Sequence, residues 1–433
     1  MLSIVGFLMV IVIVAMVLRG KTLPFIAFGI VPIIAALVCG FGPVEIGSFA
    51  AAGFGQVSGV AMMFIFSITY FGVMQDAGLF DYLVGKIVKL CGDNLVYVTV
   101  ATWLVTIIGH LDGAGASTYL IAVPAMLPLY KKLNMRTTTL FLIIASTVGV
   151  ANVVPWGGTL TRAAITIKME PTELWQMYIP IQIFGLVLTL ISAIVLGRLE
   201  TRREAGLRTD NTELDQAARV SPETEALRRP GLVPVNLVMT LIMVGILVWG
   251  KIPTQVVFML FLAFALVLNY RSVEEKKARI VAHAANVLPI IIMLLACGVF
   301  LGVISKTGMI EAMTLTIVNI IPESMGHFIP LLAGIFGTPV AMAFGPDPFY
   351  YGILPVMAEI TKIHGLPVTA IAISMSIAQN IVCAISPAVP PAYLLYGLSG
   401  VELKDGIKSS FLWLWIMGII MVIFGVLVGI IAM

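Results

Sequence analysis

The 433-residue chain is 60% hydrophobic and only 11% charged, with a mean hydropathy of +1.07, whereas a soluble domain carries about 25% charged residues. This composition excludes an ordinary soluble domain, gives no support to nucleic acid as a partner, and marks a polytopic protein of the inner-membrane type. The net charge of +3 identifies nothing by itself, because in such a chain the side on which the basic residues fall carries the information.

The first apolar segment, Leu2 to Leu18, has no basic stretch before it and has Arg19 and Lys21 after it. It reads as a retained helix with its N-terminus outside, not as a cleaved leader. Spanning helices need about 20 apolar residues, and candidates follow at 23–41, 57–76, 138–168 with a break, and 175–197. Between them, about 95–132 is apolar but broken at Gly109-His110-Leu111-Asp112-Gly113, and it is read as a re-entrant hairpin. Residues 200–231 are polar, rich in Arg, Glu, Thr and Asp, and read as a linker. The second half offers spans at 233–249, 254–270, 286–305, 366–398 with a break, and 411–432, with a second hairpin at about 326–361 broken at Phe344-Gly345-Pro346-Asp347-Pro348. Cys39, Cys91, Cys297 and Cys383 sit in or beside apolar segments without paired spacing; each packs as a small hydrophobe, and neither a disulfide nor a metal site is expected from them.

The halves resemble each other at a shift of about 230 residues: Phe71-Gly72-Val73 with Gly78-Leu79-Phe80-Asp81 parallels Leu301-Gly302-Val303 with Gly308-Met309-Ile310-Glu311. Each unit then has five crossings plus a hairpin, and an odd number of crossings inserts the second unit upside down. The expected fold is an all-α polytopic membrane protein of two inverted repeats, 1–199 and 232–433, joined by the linker 200–231. With the linker cytoplasmic and both termini outside, 20 of the 25 Lys and Arg residues face the cytoplasm. Lys168, Lys251, Lys306 and Lys362 fall outside, and Arg162 is left within the membrane. This is the bias that positive-inside sorting produces. A hairpin forced to span would put Lys131-Lys132 on the wrong side.

Broken backbone at bilayer depth survives only where protein or a wet cavity surrounds it, and paired interruptions in two halves point to a transporter's substrate site. Two further breaks, Asn152-Val153-Val154-Pro155-Trp156-Gly157-Gly158-Thr159 and Ile385-Ser386-Pro387 through Pro391, are expected to meet the hairpin tips. Half-helix N-termini there attract carboxylates, and the hydroxyls of Ser117, Thr118, Thr159, Thr161 and Ser386 add hydrogen bonds. Arg162 brings a planar fork suited to a carboxylate. Asp112 and Asp347 should not face a bare polyanion, so a cation is expected with it: a proton, sodium, or a hard divalent metal on oxygen ligands. Each aspartate can equally cap its own turn. His110 could relay protons or serve as a structural tie. His283, His327 and His364 are expected to be solvated.

His110-Leu111-Asp112-Gly113 with Ser117-Thr118-Tyr119, Asn152-Val153-Val154-Pro155-Trp156-Gly157-Gly158 with Arg162, Asp347-Pro348-Phe349-Tyr350-Tyr351-Gly352, and Ser386-Pro387 together resemble the citrate–metal:proton symporters, the CitMHS family of the ion transporter superfamily. The resemblance runs from end to end. It implies an elevator-type transporter with scaffold and transport parts, a homodimer in a bacterial plasma membrane, and uptake of citrate complexed with a metal ion, such as Mg, Ca or ferric iron, together with protons. It places substrate contacts at Asp112, Ser117, Thr118, Asn152, Gly157, Gly158, Arg162, Asp347 and Ser386. Charge then assigns metal or protons to Asp112 and Asp347, with His110 as a further proton carrier. Ala114 stands where the family pattern has an acidic residue, and Gly345-Pro346 where it has polar side chains, so fewer oxygens remain for a metal. The Ser-Asn-Thr tips of sodium-coupled dicarboxylate carriers are missing, which favours protons over a sodium-driven carrier of free di- or tricarboxylates. An intramembrane aspartyl protease would need its aspartates on spanning helices in Gly-x-Gly-Asp or Tyr-Asp contexts, and no enzyme is expected.

Overall fold

The computed structural model describes the whole chain except Gly20, Cys91, residues 204–221 and residues 320–322; Cys91 and the middle of the expected linker therefore lie outside the described residues. In chain order come α1 (Leu2–Leu18), α2 (Pro24–Val38), α3 (Pro43–Asp76), α4 (Leu79–Leu90), α5 (Leu95–Gly109), α6 (Gly115–Lys132), α7 (Thr137–Ala151), α8 (Gly158–Thr166) and α9 (Pro171–Arg202). The second half follows with α10 (Pro222–Leu227), α11 (Val233–Trp249), α12 (Thr254–Asn269), α13 (Val273–Lys306), α14 (Met309–Val318), α15 (Glu323–Gly326), α16 (Ile329–Phe344), a π-helical turn (Pro348–Ile353), α17 (Leu354–Ile363), α18 (Val368–Asn380), α19 (Ala392–Ser399) and α20 (Leu403–Leu427). Among the described residues there is no strand. Among the described residues, five helical stretches, including α3, α9, α13 and α20, are long and apolar enough to cross a membrane, as a multi-pass membrane protein requires.

Two helices run longer than hydropathy suggests. Both α3 and α13 have 34 residues, about 50 Å at 1.5 Å per residue, and start at Pro43 and Val273 instead of 57 and 286. The first turns of α13 carry Glu274, Glu275, Lys276 and Lys277, and those of α3 mix Glu45 and Ser48 with glycine and alanine, so neither reads as a spanning segment, yet both are firmly started. Glu45 Oε2 accepts the Gly42 N–H at 2.8 Å with Pro43 in the first turn, and Ser272 and Glu275 form a reciprocal capping box. The two helices pack along each other where Gly53 meets Gly298 and Gly302 meets Phe49. A Cβ at Gly53 would sit 1.8 Å from the Gly298 carbonyl oxygen, so only glycine permits this crossing.

Around this pair gathers one body: α2 on α13, α12 on α3, and α1 between α2 and α14. A second body holds the antiparallel pair α5 and α6 with α7 and α9, and α16 with α18 and α20. A cluster of basic side chains gathers at one end of the molecule. There Arg228 Nη2 reaches Asp81 at 2.5 Å, and the Arg229 N–H donates to the Ala77 carbonyl at 3.0 Å. Asp76 pairs with Arg279 at 3.3 Å and with His283 Nε2 at 2.8 Å. His283 is therefore not a solvated loop residue; its ring fills the space above Gly72 and ties α13 to α3. His364 likewise packs over Gly326 and reaches the Ile360 carbonyl at 2.8 Å. Glu200, at the start of the expected linker, is fully buried, taking Arg136 Nε and Thr139 Oγ1 at 2.7 Å each. A carboxylate so partnered is structural, and the packed unit runs on to the end of α9. At the opposite end, Thr172 Oγ1 lies 2.6 Å from Thr254 Oγ1, and Gln176 donates to the Val248 carbonyl at 2.8 Å.

Candidate functional site

Helix α7 stops at Asn152 because Pro155 has no N–H to continue it and Gly157 restarts the chain as the first residue before α8. Helix α18 stops at Asn380, ahead of a turn-rich stretch with Pro387, Pro390 and Pro391 before α19. The hairpin tips turn on glycines with positive φ, Gly113 at +71° and Gly345 at +71°, a conformation that disfavours other residues.

The four interruptions touch one another. From the first tip, Leu111 offers its carbonyl to Trp156 Nε1 at 2.9 Å, and His110 Nε2 lies 3.2 Å from Asn152 Oδ1. The two helix breaks are joined through Asn380, whose Oδ1 accepts from Asn152 Nδ2 at 2.8 Å and from Thr159 Oγ1 at 2.7 Å. From the second tip, Tyr350 OH accepts from Asn380 Nδ2 at 3.4 Å, and Ser386 Oγ donates to the Met342 carbonyl at 2.7 Å. Closing the ring, Arg162 Nε donates to Asp347 Oδ1 at 2.6 Å while Nη1 donates to the Gly158 carbonyl at 2.6 Å.

Beside this ring lies a cavity of about 700 Å³, bounded by Gly158, Thr161, Arg162, Asp347 and Tyr351 on one side and by Phe64 and Leu288 to Leu294 on the other. Its walls are apolar except at the ion pair, whose side chains keep 23% and 18% of their surface exposed. Apolar walls raise the strength of any charge contact made there. A guanidinium so placed can take a carboxylate bidentately, and the carboxylate facing it can take a cation.

Of the residues expected at the site, Gly158, Thr161, Arg162 and Asp347 line this cavity. Asp112 does not share a partner with Asp347. Its Oδ1 accepts the Ala114 N–H at 2.9 Å and its Oδ2 accepts the Ser117 hydroxyl, so both oxygens serve their own tip. Thr118, Asn152, Thr159 and Ser386 are buried with their polar atoms committed to protein partners. A hydroxyl in an apolar interior takes the nearest carbonyl. His110 is buried as a tie between Thr118 Oγ1, at 2.6 Å, and Asn152. Gly157 packs against the first tip, where a Cβ on Gly113 would meet its Cα at 3.1 Å. Among the described residues no three His, Cys, Asp or Glu side chains gather as a metal cage.

Sequence reasoning missed Asn380, the residue that joins the two breaks, and Tyr351 at the cavity wall. The signal was present: Gln379-Asn380-Ile381-Val382 follows the pattern of Ala151-Asn152-Val153-Val154 at the repeat shift.

This fold is shared with a membrane transporter of known structure. A crystal structure of the Alcanivorax borkumensis YdaH transporter superposes on it with a TM-score of 0.58, covering 90% of both chains at 12% identity. The chain belongs to the citrate transporter family, CitMHS, whose family model matches residues 3–280. It is 36% identical over 432 residues, 100% of both chains, to a citrate transporter of Bacillus subtilis (strain 168). It is also 36% identical over 433 residues, 99% of both chains, to the Mg(2+)/citrate complex secondary transporter of the same organism. The family and these relatives are transporters, not enzymes, and the protease alternative falls with them.

Proposed function

We propose that the protein imports citrate as its complex with a divalent metal, in symport with protons, by an inverted-repeat elevator in which the α5–α9 and α16–α20 body moves against the α3–α13 body. The observation that carries the reading is the Arg162–Asp347 pair on the wall of a cavity between those bodies. A carboxylate of the complex replaces Asp347 on Arg162, and Asp347 turns to the metal's open coordination positions, so neither charge is left alone. Asp112, already engaged by its own tip, shapes the hairpin, and Asn152, Asn380 and His110 hold the breaks in register. The 34-residue pair α3 and α13, offset by 230 residues at both ends, supports two units, 1–199 and 232–433, and the basic cluster around Arg228 and Arg279 supports a cytoplasmic linker with both termini outside. The relative named for Mg(2+)/citrate supports the metal.

The test is uptake of labelled citrate into proteoliposomes at fixed total citrate and rising Mg²⁺. Uptake is expected to rise with the complex, to quicken with an inward proton gradient, and to be unchanged when choline replaces sodium. Uptake that falls with Mg²⁺ and follows free citrate refutes the metal complex and leaves a plain carboxylate carrier.

A further inference from the structure

A second cavity, of about 410 Å³, lies at the other end of α8, lined by Gln56, Ser58, Lys168, Glu170 and Gln255. Chain direction fixes its side. Helix α9 starts beside it at Pro171 and ends at Arg202, and α12 starts beside it at Thr254 and ends at Asn269, whose carbonyl accepts from Arg229. It therefore opens at the end opposite the linker. The larger cavity touches the start of α2, which runs parallel to α13, with Gly29 against Ala296 and Ala36 packed with Val303; α13 itself starts at the linker end, so that cavity is nearer the linker.

Only a thin wall separates the two. Met63 and Ile165 face the smaller cavity, while Phe64, Thr161 and Arg162 face the larger, which makes the partition about one helical turn, roughly 5 Å, thick. Gln56 Nε2 crosses from α3 to donate to the Ile165 carbonyl at 2.8 Å. Where the larger cavity is apolar around one ion pair, this one presents a cation, an anion and neutral amides. Lys168 holds its place with φ at +58°, in a helix-ending turn where its N–H meets the Ile165 carbonyl at 3.0 Å. Glycine is the usual residue there, and a side chain costs about 1 kcal/mol. A lysine at a helix C-terminus can be there only to offset the helix dipole, but that role does not require an acidic neighbour or a cavity.

We propose that this cavity is a receiving site for a hydrated carboxylate, free or as its divalent-metal complex, on the side opposite the linker, with Lys168 on the carboxylate and Glu170 toward the cation. The inference rests on the transport function proposed above and adds a binding step before the Arg162 cavity opens. The test labels Ser58→Cys with a membrane-impermeant maleimide, counting incorporation above that of the parent chain. Citrate with Mg²⁺ is expected to slow labelling by about threefold at twice its dissociation constant. That protection is expected to persist when Arg162→Ala has disabled the central site, and to disappear in Lys168→Asn, which tolerates the same backbone conformation. Extra protection from Mg²⁺ over citrate alone, lost in Glu170→Gln, identifies the complex; equal protection without Mg²⁺ identifies the free carboxylate at the same site. Protection that needs Arg162 and ignores Lys168, or no protection in any chain, overturns the site. A wild-type protein that takes up no citrate sinks the parent reading instead, and the labelling is then read with other carboxylates.

Discussion

Replacing Asp347 by Asn tests the exchange at the centre of the proposed mechanism. Two unit charges about 4 Å apart attract by about 4 kcal/mol at an effective dielectric of 20, and the contact here is 2.6 Å between Nε and Oδ1. Both side chains keep about a fifth of their surface exposed, and desolvation offsets part of the gain, so a net hold of about 2 kcal/mol on the guanidinium is reasonable. Free citrate binding to Arg162 must overcome that hold and leave Asp347 facing a polyanion. In the proposed exchange the metal complex overcomes it while giving Asp347 a cation. Asp347→Asn removes the competitor, so affinity for free citrate is expected to rise by about tenfold to thirtyfold, 1.4 to 2 kcal/mol, and the enhancement by Mg²⁺ is expected to vanish. Calorimetry on the purified protein, with citrate alone and with excess Mg²⁺, reads both quantities, and adding Arg162→Ala to the Asp347→Asn variant should remove the gain. An Asp347→Asn variant that keeps its full Mg²⁺ enhancement, or binds free citrate more weakly than the parent, refutes the exchange.

Asn380→Ala removes the oxygen that takes Asn152 Nδ2 at 2.8 Å and Thr159 Oγ1 at 2.7 Å and leaves these buried groups the longer bonds of 3.3 and 3.4 Å between Asn152 and Thr159; at about 1 kcal/mol for each bond lost, thermal unfolding in detergent should shift below the parent, while Ser117→Ala leaves it nearly unchanged. Gly302→Ala would push a methyl to 2.1 Å from the Phe49 carbonyl oxygen, and the variant is expected to be lost from the membrane fraction, whereas Gly55→Ala, with nothing within 4 Å, should accumulate normally. Asp112→Asn keeps the acceptor for the Ala114 N–H and is expected to retain uptake within about threefold and to lose under about 1 kcal/mol of stability. Abolished uptake with unchanged folding would return Asp112 to the cation site.

What the sequence conveyed best was the position of backbone breaks, because glycine and proline act locally: Pro155 and Gly157 end and restart a helix whatever surrounds them. Arg162 was also legible, since a lone arginine in an apolar segment needs a partner. Side-chain direction was not. Nothing in the string tells whether Ser386 faces a cavity or the Met342 carbonyl, or whether Asp112 spends its oxygens on Ser117 or on a ligand, because each choice depends on which acceptor packing brings within hydrogen-bond reach. The starts of α3 and α13 escaped for another reason: their first turns, charged in α13 and rich in glycine and alanine in α3, lie at the ends of long helices, where caps and glycine contacts, not hydropathy, hold the backbone.

The charges at the site also limit what can cross. An arginine at the centre of a membrane helix costs about 2.5 to 3.5 kcal/mol, and Asp347 offsets that cost in the empty protein, so the body that carries α8 is close to neutral there. A bare citrate on Arg162 would leave that body strongly negative beside apolar walls from Leu288 to Leu294, and sliding past them would be opposed by desolvation of every uncompensated charge. In the proposed elevator, a metal complex, or a citrate that brings protons, would keep the moving body near the charge that the Arg162–Asp347 pair gives it. On the proposed mechanism the apolar wall would do more than bound the cavity: it would pass loads whose charge is balanced and hold back those whose charge is not, and coupling would follow from the same ion pair that is proposed to bind the substrate.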